Sequence, residues 1–180
     1  MSANSTDPSS GGARRSGEAP VQRLQHSLCA FWLGEQCYGL ETAMVGEVMT
    51  VDTIAPVPMA PAPVRGLFNL RGTPVALVDL SRVLELPDPM PIEDPRPGRP
   101  LVAMVIRTEA LLVGLLIRRM EMVITRGRGV FSPPEPSAAE HPVVAGFLEV
   151  SDHGGLTVTV LDPTALVERL DRLKYLDSAS

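Results

Sequence analysis

The sequence predicts a mainly β fold organised as two small barrels, and three observations support this. The chain has 180 residues with 18 prolines and 15 glycines, which favour short elements with enforced ends over long helices. Short apolar or alternating segments recur between turn residues. The two halves also resemble each other: a glycine, two strands joined by a turn, and an aspartate before a helix follow from Gly66 to Asp79 and from Gly146 to Asp162.

Composition excludes several classes of protein. Hydrophobic residues make up 44% and charged residues 21% of the chain, as in soluble globular proteins. A disordered chain, a coiled coil and a collagen-like fibre are therefore excluded. No apolar run approaches the roughly 20 residues that span a bilayer, so direct membrane insertion is not expected. The net charge of −5 gives no electrostatic attraction to nucleic acid or to anionic membranes.

Residues 1–24 are predicted to be a disordered tail, since they are rich in Ser, Gly, Ala and Pro. Arg14-Arg15 resembles a twin-arginine signal, but no apolar stretch follows it. Without a secretory signal, Cys29 and Cys37 are expected to be reduced thiols of a cytoplasmic protein. The folded domain is expected over residues 25–176.

The first half is predicted to start with a hairpin of residues 28–33 and 37–41, in which the apolar residues alternate. Residues 43–49 place Val45, Val48 and Met49 at helical spacing, which predicts one or two helical turns.

A second hairpin is predicted from residues 64–70 and 73–78, joined by an Arg71-Gly72 turn. Asp79 then caps a short helix that runs through Leu86. The first barrel is expected to comprise about residues 28–86 plus C-terminal elements.

The second half is predicted to repeat this pattern over about residues 101–161, after a proline-rich connector at 87–100. Its strands are expected at residues 101–106, 111–117, 120–125, 143–150 and 156–161. Asp162 and Pro163 have the residue types preferred at a helix cap and at the first helical position, which predicts a helix over 163–176. One face of that helix is apolar and carries Leu166, Leu170, Leu173 and Leu176.

The sequence offers no catalytic site. His26, His141 and His153 stand apart from one another and from other metal-ligating residues, so neither a metal nor a cofactor is expected. A basic stretch could indicate an acidic or nucleic-acid partner, but with few aromatic residues to stack bases a solvated β face is favoured. This stretch contains Arg107, Arg118, Arg119, Arg126 and Arg128.

The densest motif is Gly66-Leu67-Phe68-Asn69-Leu70-Arg71-Gly72, followed by Val75, Leu77, Val78, Asp79 and Leu80. It resembles the signature of CheW-type chemotaxis adaptors, in which a Gly-x-x-Asn-Leu-Arg-Gly turn precedes a strand that ends Val-Asp-Leu. The resemblance covers about residues 27–176. Its other matching positions include Phe31, Tyr38-Gly39, Val45, Glu47-Val48, Val113-Gly114, Val144-Ala145-Gly146 and Leu161-Asp162.

The resemblance implies two SH3-like, five-stranded barrels and a protein without enzymatic activity. Such adaptors join the cytoplasmic tip of a methyl-accepting chemoreceptor to the regulatory domain of a CheA-type histidine kinase. A cytoplasmic protein recruited to membrane-associated receptor arrays is therefore expected. The alternative is a degenerate adaptor that binds only the kinase or only the receptor, in a motility or gene-regulation pathway.

By resemblance, the receptor-binding residues are Val45, Glu47, Gly66, Asn69 and Arg71. Val45 is expected to supply apolar contact from the short helix, and Glu47 to pair with Arg71 and link that helix to the turn. The pair is expected to be partly buried. The alternative to a role in receptor binding is that Glu47 and Arg71 only brace the fold. Gly66 is expected to allow a particular backbone conformation rather than to contact the receptor.

Two positions depart from the family pattern, and the location of a third side chain has two interpretations. Ala76 stands where the family usually has proline, and Arg118 replaces a common aspartate. These departures bear on the kinase partner and the pathway. Trp32 is either an exposed anchor or a cover under the C-terminal helix, and the second is favoured. The kinase-contact residues stay unassigned.

Overall fold

The computed structural model describes residues 24–87, 95, 98–109, 111–134 and 142–175. Within them, eleven strands and two α-helices follow one another along the chain. The strands are β1 Leu28–Leu33, β2 Gln36–Glu41, β3 Val45–Val51, β4 Val64–Leu70, β5 Thr73–Asp79, β6 Leu101–Arg107, β7 Leu112–Ile117, β8 Arg119–Ile124, β9 Val130–Ser132, β10 Val144–Val150 and β11 Leu156–Leu161. The helices are α1 Leu80–Val83 and α2 Pro163–Tyr175, and neither is long and apolar enough to cross a membrane.

The strands form two sheets, which confirms the mainly β prediction. Sheet A has six strands in the order β8-β1-β2-β11-β10-β9, and sheet B has five in the order β3-β6-β7-β5-β4. The strand order differs from the predicted division into a first barrel of about residues 28–86 plus C-terminal elements and a second barrel of about residues 101–161. The hairpin β1-β2 pairs with strands of the second half, and the hairpin β6-β7 pairs with strands of the first half.

Each exchanged hairpin is joined to its sheet by a parallel pair, β2 with β11 and β7 with β5. Both hairpins are apolar on both faces, so each completes one sheet and also contributes to a shared core. This central cluster contains side chains from both sheets and both helices, among them Phe31 and Met104. Two smaller clusters belong to sheet A alone and to sheet B alone.

Residues 43–49 form no α-helix. A single 3-10 turn spans Thr42–Met44, and β3 begins at Val45. The apolar positions 45, 48 and 49 fit the helical period, whereas 45, 49 and 51 fit the strand period. Pairing decides between the two: β3 is antiparallel to β6 from Val45↔Ile106 to Val51↔Leu101. The β-branched residues of this segment favour the extended form as well.

Smaller corrections concern where elements begin and end. Leu24 is buried in the sheet A cluster, so the chain is packed one residue earlier than the predicted tail boundary. Strand β9 was not predicted, since three residues carry no period. Helix α1 ends at Val83 rather than Leu86, because Glu85 has a φ of +53°. Most of the connector, most of the 132–142 loop and Leu176 lie outside the described residues.

Trp32 does not lie under the C-terminal helix. Its side chain packs against the sheet A cluster, whereas Leu166 and Leu170 of α2 are buried in the central cluster. The indole Nε1 donates a hydrogen bond to Glu121, and the Arg119 guanidinium lies 4.8 Å from the ring centroid. Phe31 and Trp32 point to opposite faces of β1, as the alternation predicted.

Candidate functional site

The topology brings three segments to one end of sheet B. Because β5 is parallel to β7, the β4-β5 turn and the β6-β7 turn lie at the same end. Val45 pairs with Ile106 near the end of β6, so the start of β3 lies there as well. We call this end the sheet-B rim. It consists of Val45, Glu47, Asn69, Arg71, Gly72 and Arg107.

Glu47 and Arg71 form an ion pair across this rim, with 2.9 Å between the Glu47 Oε2 and the Arg71 Nη2. The pair links a strand, not a helix, to the turn. The Arg71 side chain is 80% exposed and the Glu47 side chain 32% exposed, so the expected partial burial is wrong for the arginine. An exposed pair contributes about 0–1 kcal/mol to stability, not the roughly 3–5 kcal/mol of a buried pair that loses one partner.

The turn that carries Arg71 is tightly fixed. Leu70 pairs with Thr73, which leaves a two-residue loop with φ of +52° at Arg71 and +89° at Gly72. Two consecutive positive φ values are typical of a type I′ turn, which favours Asn and Gly. The Gly72 N–H donates to the Asn69 Oδ1 at 2.6 Å. Because the left-handed region costs a residue with a side chain about 1–2 kcal/mol, the turn holds Arg71 in a conformation that glycine or asparagine adopts more readily.

Gly66 lies away from the rim and has a backbone role. It sits at a register shift between β4 and β5 with a φ of +150°, and a Cβ atom there would lie 2.6 Å from the Ala55 carbonyl oxygen. Val45 is partly buried against the central cluster, so only part of its side chain faces outward. The structure therefore groups Val45, Glu47, Asn69 and Arg71, and separates Gly66 from them.

Two further side chains join this surface that the sequence did not assign to it. Arg107 is exposed at the end of β6, and a Cβ atom on Gly46 would lie 3.9 Å from its Cβ. None of the described residues pairs with the Arg107 guanidinium. Val48, on the solvent side of β3, is 38% exposed. Only the pairing of β3 with β6 reveals these neighbours, and that pairing was hidden by the predicted helix.

The remaining charges and thiols do not form a reactive cluster. Among the described residues, no three His, Cys, Asp or Glu side chains are grouped to hold a metal ion. Ion pairs neutralise part of the basic stretch: Arg118 with Glu35, Arg119 with Glu121, and Arg128 with Asp152.

Both cysteines are buried free thiols, in different clusters. Burial raises the pKa of the Cys29 thiol. It also raises the pKa of Cys37 to about 11, with a further contribution from the Glu121 carboxylate. Both sulfurs are therefore protonated, and weak nucleophiles, at neutral pH.

Comparison with known proteins relates the chain to one family. A family model described as a CheW-like domain matches residues 27–171. The chemotaxis protein CheW of Treponema pallidum (strain Nichols) is 32% identical over 117 residues, which cover 64% of this chain and 67% of that protein. The chemotaxis protein CheW of Rhizobium meliloti (strain 1021) is 31% identical over 98 residues, which cover 54% of this chain and 59% of the relative.

The fold is similar to the crystal structure of the scaffolding protein TtCheW from Thermoanaerobacter tengcongensis. The TM-score is 0.62 at 22% identity, and the match covers 78% of this chain and 91% of the other.

Proposed function

The chain belongs to the CheW-like family of chemotaxis adaptors, and we propose that it couples methyl-accepting chemoreceptors to a CheA-type histidine kinase without chemistry of its own. It acts in the cytoplasm, at receptor arrays on the membrane. It holds receptor and kinase in a fixed arrangement, so that a conformational change of the receptor biases the kinase. The Glu47–Arg71 pair, held on the turn of the family motif, is the observation that carries this proposal.

Receptor binding is assigned to the sheet-B rim. The tip of a chemoreceptor is a helical hairpin, and a surface that binds helices needs apolar contacts with a few fixed polar anchors. Val45 supplies the apolar contact beside the pair, and Val48 offers a second one on the solvent face of β3. Arg71 offers a planar guanidinium. The turn fixes the Arg71 backbone, and the hydrogen bond to Glu47 orients the guanidinium. The pair thus serves as a preorganised polar anchor more than as a brace of the fold.

The test is a charge reversal across this pair. We expect Glu47→Arg to weaken co-sedimentation with receptor-bearing membranes by about tenfold or more, which is about 1.4 kcal/mol. Adding Arg71→Glu restores the opposite charges and recovers part of the binding. The unfolding free energy changes by no more than about 1 kcal/mol in any of these variants, since the pair is exposed.

The chain offers a matched control. Glu35 and Arg118 form another exposed pair, with 3.2 Å between the Arg118 Nη1 and the Glu35 Oε1, at the opposite sheet. Reversing that pair leaves receptor binding unchanged. Equal losses from Glu35→Arg and Glu47→Arg, or no recovery in the double variant, would remove the ion pair from the proposal.

The second candidate is an adaptor that binds only one of the two partners. It is favoured by the departures from the family pattern, above all Arg118, which stands in place of a common aspartate and pairs with Glu35. Membranes that bind this chain but fail to recruit the kinase through it would support this candidate.

A further inference from the structure

The sheet-B rim carries one more positive charge than negative. Its charged members are Glu47, Arg71 and Arg107, and the Glu47 carboxylate already pairs with Arg71. The whole chain has a net charge of −5, so the excess at the rim is opposite in sign to that of the protein. A positive charge in a recognition surface favours a negatively charged group on the partner.

The strand pairing places Arg107 beside the ion pair. Glu47 lies opposite Val105, and Arg107 follows Val105 by two residues, on the same face of β6. Diagonal neighbours of this kind have Cα atoms about 7–8 Å apart, which is within reach of a long side chain. Gly46 adjoins Arg107 and has no side chain, so the space on this side of Arg107 stays open.

Arg107 has no counter-ion within the described part of the chain. Its side chain is exposed, and no described residue forms an ion pair with its guanidinium. Glu109, the nearest acidic residue along the chain, is exposed in the turn after β6 and does not pair with Arg107. The guanidinium therefore has its hydrogen-bond donors available for a partner.

An apolar surface lies next to this guanidinium. Leu112 pairs with Arg107 across the β6-β7 hairpin, is partly buried and packs against the cluster of sheet B. The aliphatic part of a Glu or Asp side chain can lie on Leu112 while its carboxylate meets Arg107. Apolar surroundings strengthen a charge-assisted hydrogen bond because they keep water away from it.

We propose that Arg107 is a second cationic anchor of the sheet-B rim and binds a carboxylate of the receptor tip. This inference rests on the proposed receptor binding and adds the chemistry of a group that the receptor presents. Arg71, oriented by Glu47, is the anchor at the β4-β5 turn, and Arg107 is the anchor beside the start of β3. A planar guanidinium pairs with a carboxylate through two parallel hydrogen bonds, which lysine cannot form.

Charge reversal at Arg107 tests the anchor. We expect Arg107→Glu to weaken co-sedimentation of the full chain with receptor-bearing membranes by about tenfold or more, and Arg107→Lys to weaken it less. Arg126→Glu is the matched control, because it makes the same change at an exposed arginine just after β8, in the other sheet. It leaves binding unchanged. Thermal unfolding verifies that all three variants fold.

A charge swap identifies the group that Arg107 binds. Acidic residues of the receptor tip are changed to lysine one at a time, and each receptor is tested with the unaltered chain and with Arg107→Glu. We expect one of these receptors to bind the unaltered chain weakly and Arg107→Glu more tightly. The same receptor does not improve the binding of Glu47→Arg.

The results that would overturn the inference differ from those that would overturn the proposed function. Unchanged binding of Arg107→Glu, while Glu47→Arg binds weakly, would remove the anchor and leave receptor binding at the rim in place. Equal losses from Arg107→Glu and Arg126→Glu would show an effect of total charge alone. Recovery with none of the lysine-substituted receptors would exclude a carboxylate of the tip. An unaltered chain that does not bind receptor-bearing membranes would contradict the proposed function, and this inference with it.

Discussion

Arg71 has a left-handed backbone conformation in a tight turn, and its side chain forms the ion pair with Glu47. The sequence predicted its turn, since a two-residue loop between strands defines a hairpin, and the family resemblance implied its partner Glu47. Its exposure was not predictable, because burial depends on which strands surround the turn. Gly66 shows the converse, since its close approach to the Ala55 carbonyl explains the glycine without any role in binding.

The Cys37 thiol makes the stability of the folded protein depend on pH. Its pKa is raised from 9.0 to about 11 in the folded protein. Between these values the unfolded chain loses the thiol proton while the folded chain keeps it, so stability falls as the pH rises from about 9 to 11. The loss is at most about 3 kcal/mol, and Cys37→Ala lacks it. Urea denaturation of both proteins at pH 8, 9, 10 and 11 measures the difference, and parallel curves would contradict the assignment.

Strand β3 shows where sequence reading fails at the scale of an element. Val45, Val48 and Met49 fit a helix, whereas Val45, Met49 and Val51 fit a strand. Only the partner β6, fifty or more residues away, decides between the two structures. The hairpins and the capped helix α2 were predictable because their signals are local: turn residues, alternation, and Asp162 before Pro163. Because a helix was predicted for residues 43–49, the position of Arg107 beside β3 at the rim was not predicted either.

Gly114 tests the packing of an element against its own sheet cluster. A Cβ atom at this position of β7 would lie 2.5 Å from Cε1 of Phe68, a buried ring. We expect Gly114→Ala to lower the unfolding free energy by about 1–3 kcal/mol through overpacking. Phe68→Leu makes room, so the double variant loses less than the sum of the two single variants. Additive losses in chemical denaturation would show that the ring does not cause the strain.

At the scale of the whole molecule, the exchange of hairpins is the feature that the sequence could not reveal. The internal similarity predicted two equivalent units, and equivalent units exist, as Gly66 and Gly146 at matching register shifts show. Adjacency along the chain suggested that each unit closes on itself. Each hairpin instead completes the sheet of the other half, because both of its faces are apolar and both are buried.

This interlocked arrangement predicts that the two sheets unfold together. Each sheet needs strands from both halves, so neither half has a complete core alone. Gly39→Ala in sheet A, whose new Cβ would lie 2.9 Å from the Val158 side chain, and Gly114→Ala in sheet B should shift one and the same transition. Differential scanning calorimetry with equal calorimetric and van't Hoff enthalpies would agree with this. Two separable transitions, each sensitive to only one variant, would contradict it.

The most direct test of the adaptor function is co-sedimentation of the purified full chain with receptor-bearing membranes, with and without the cognate kinase. Membranes without receptor and a receptor–kinase mixture without this chain are the controls. We expect the chain to pellet only with receptor and the kinase to pellet in greater amount when the chain is present. A chain that binds neither partner, or a kinase whose sedimentation is the same with and without it, would contradict the proposed coupling.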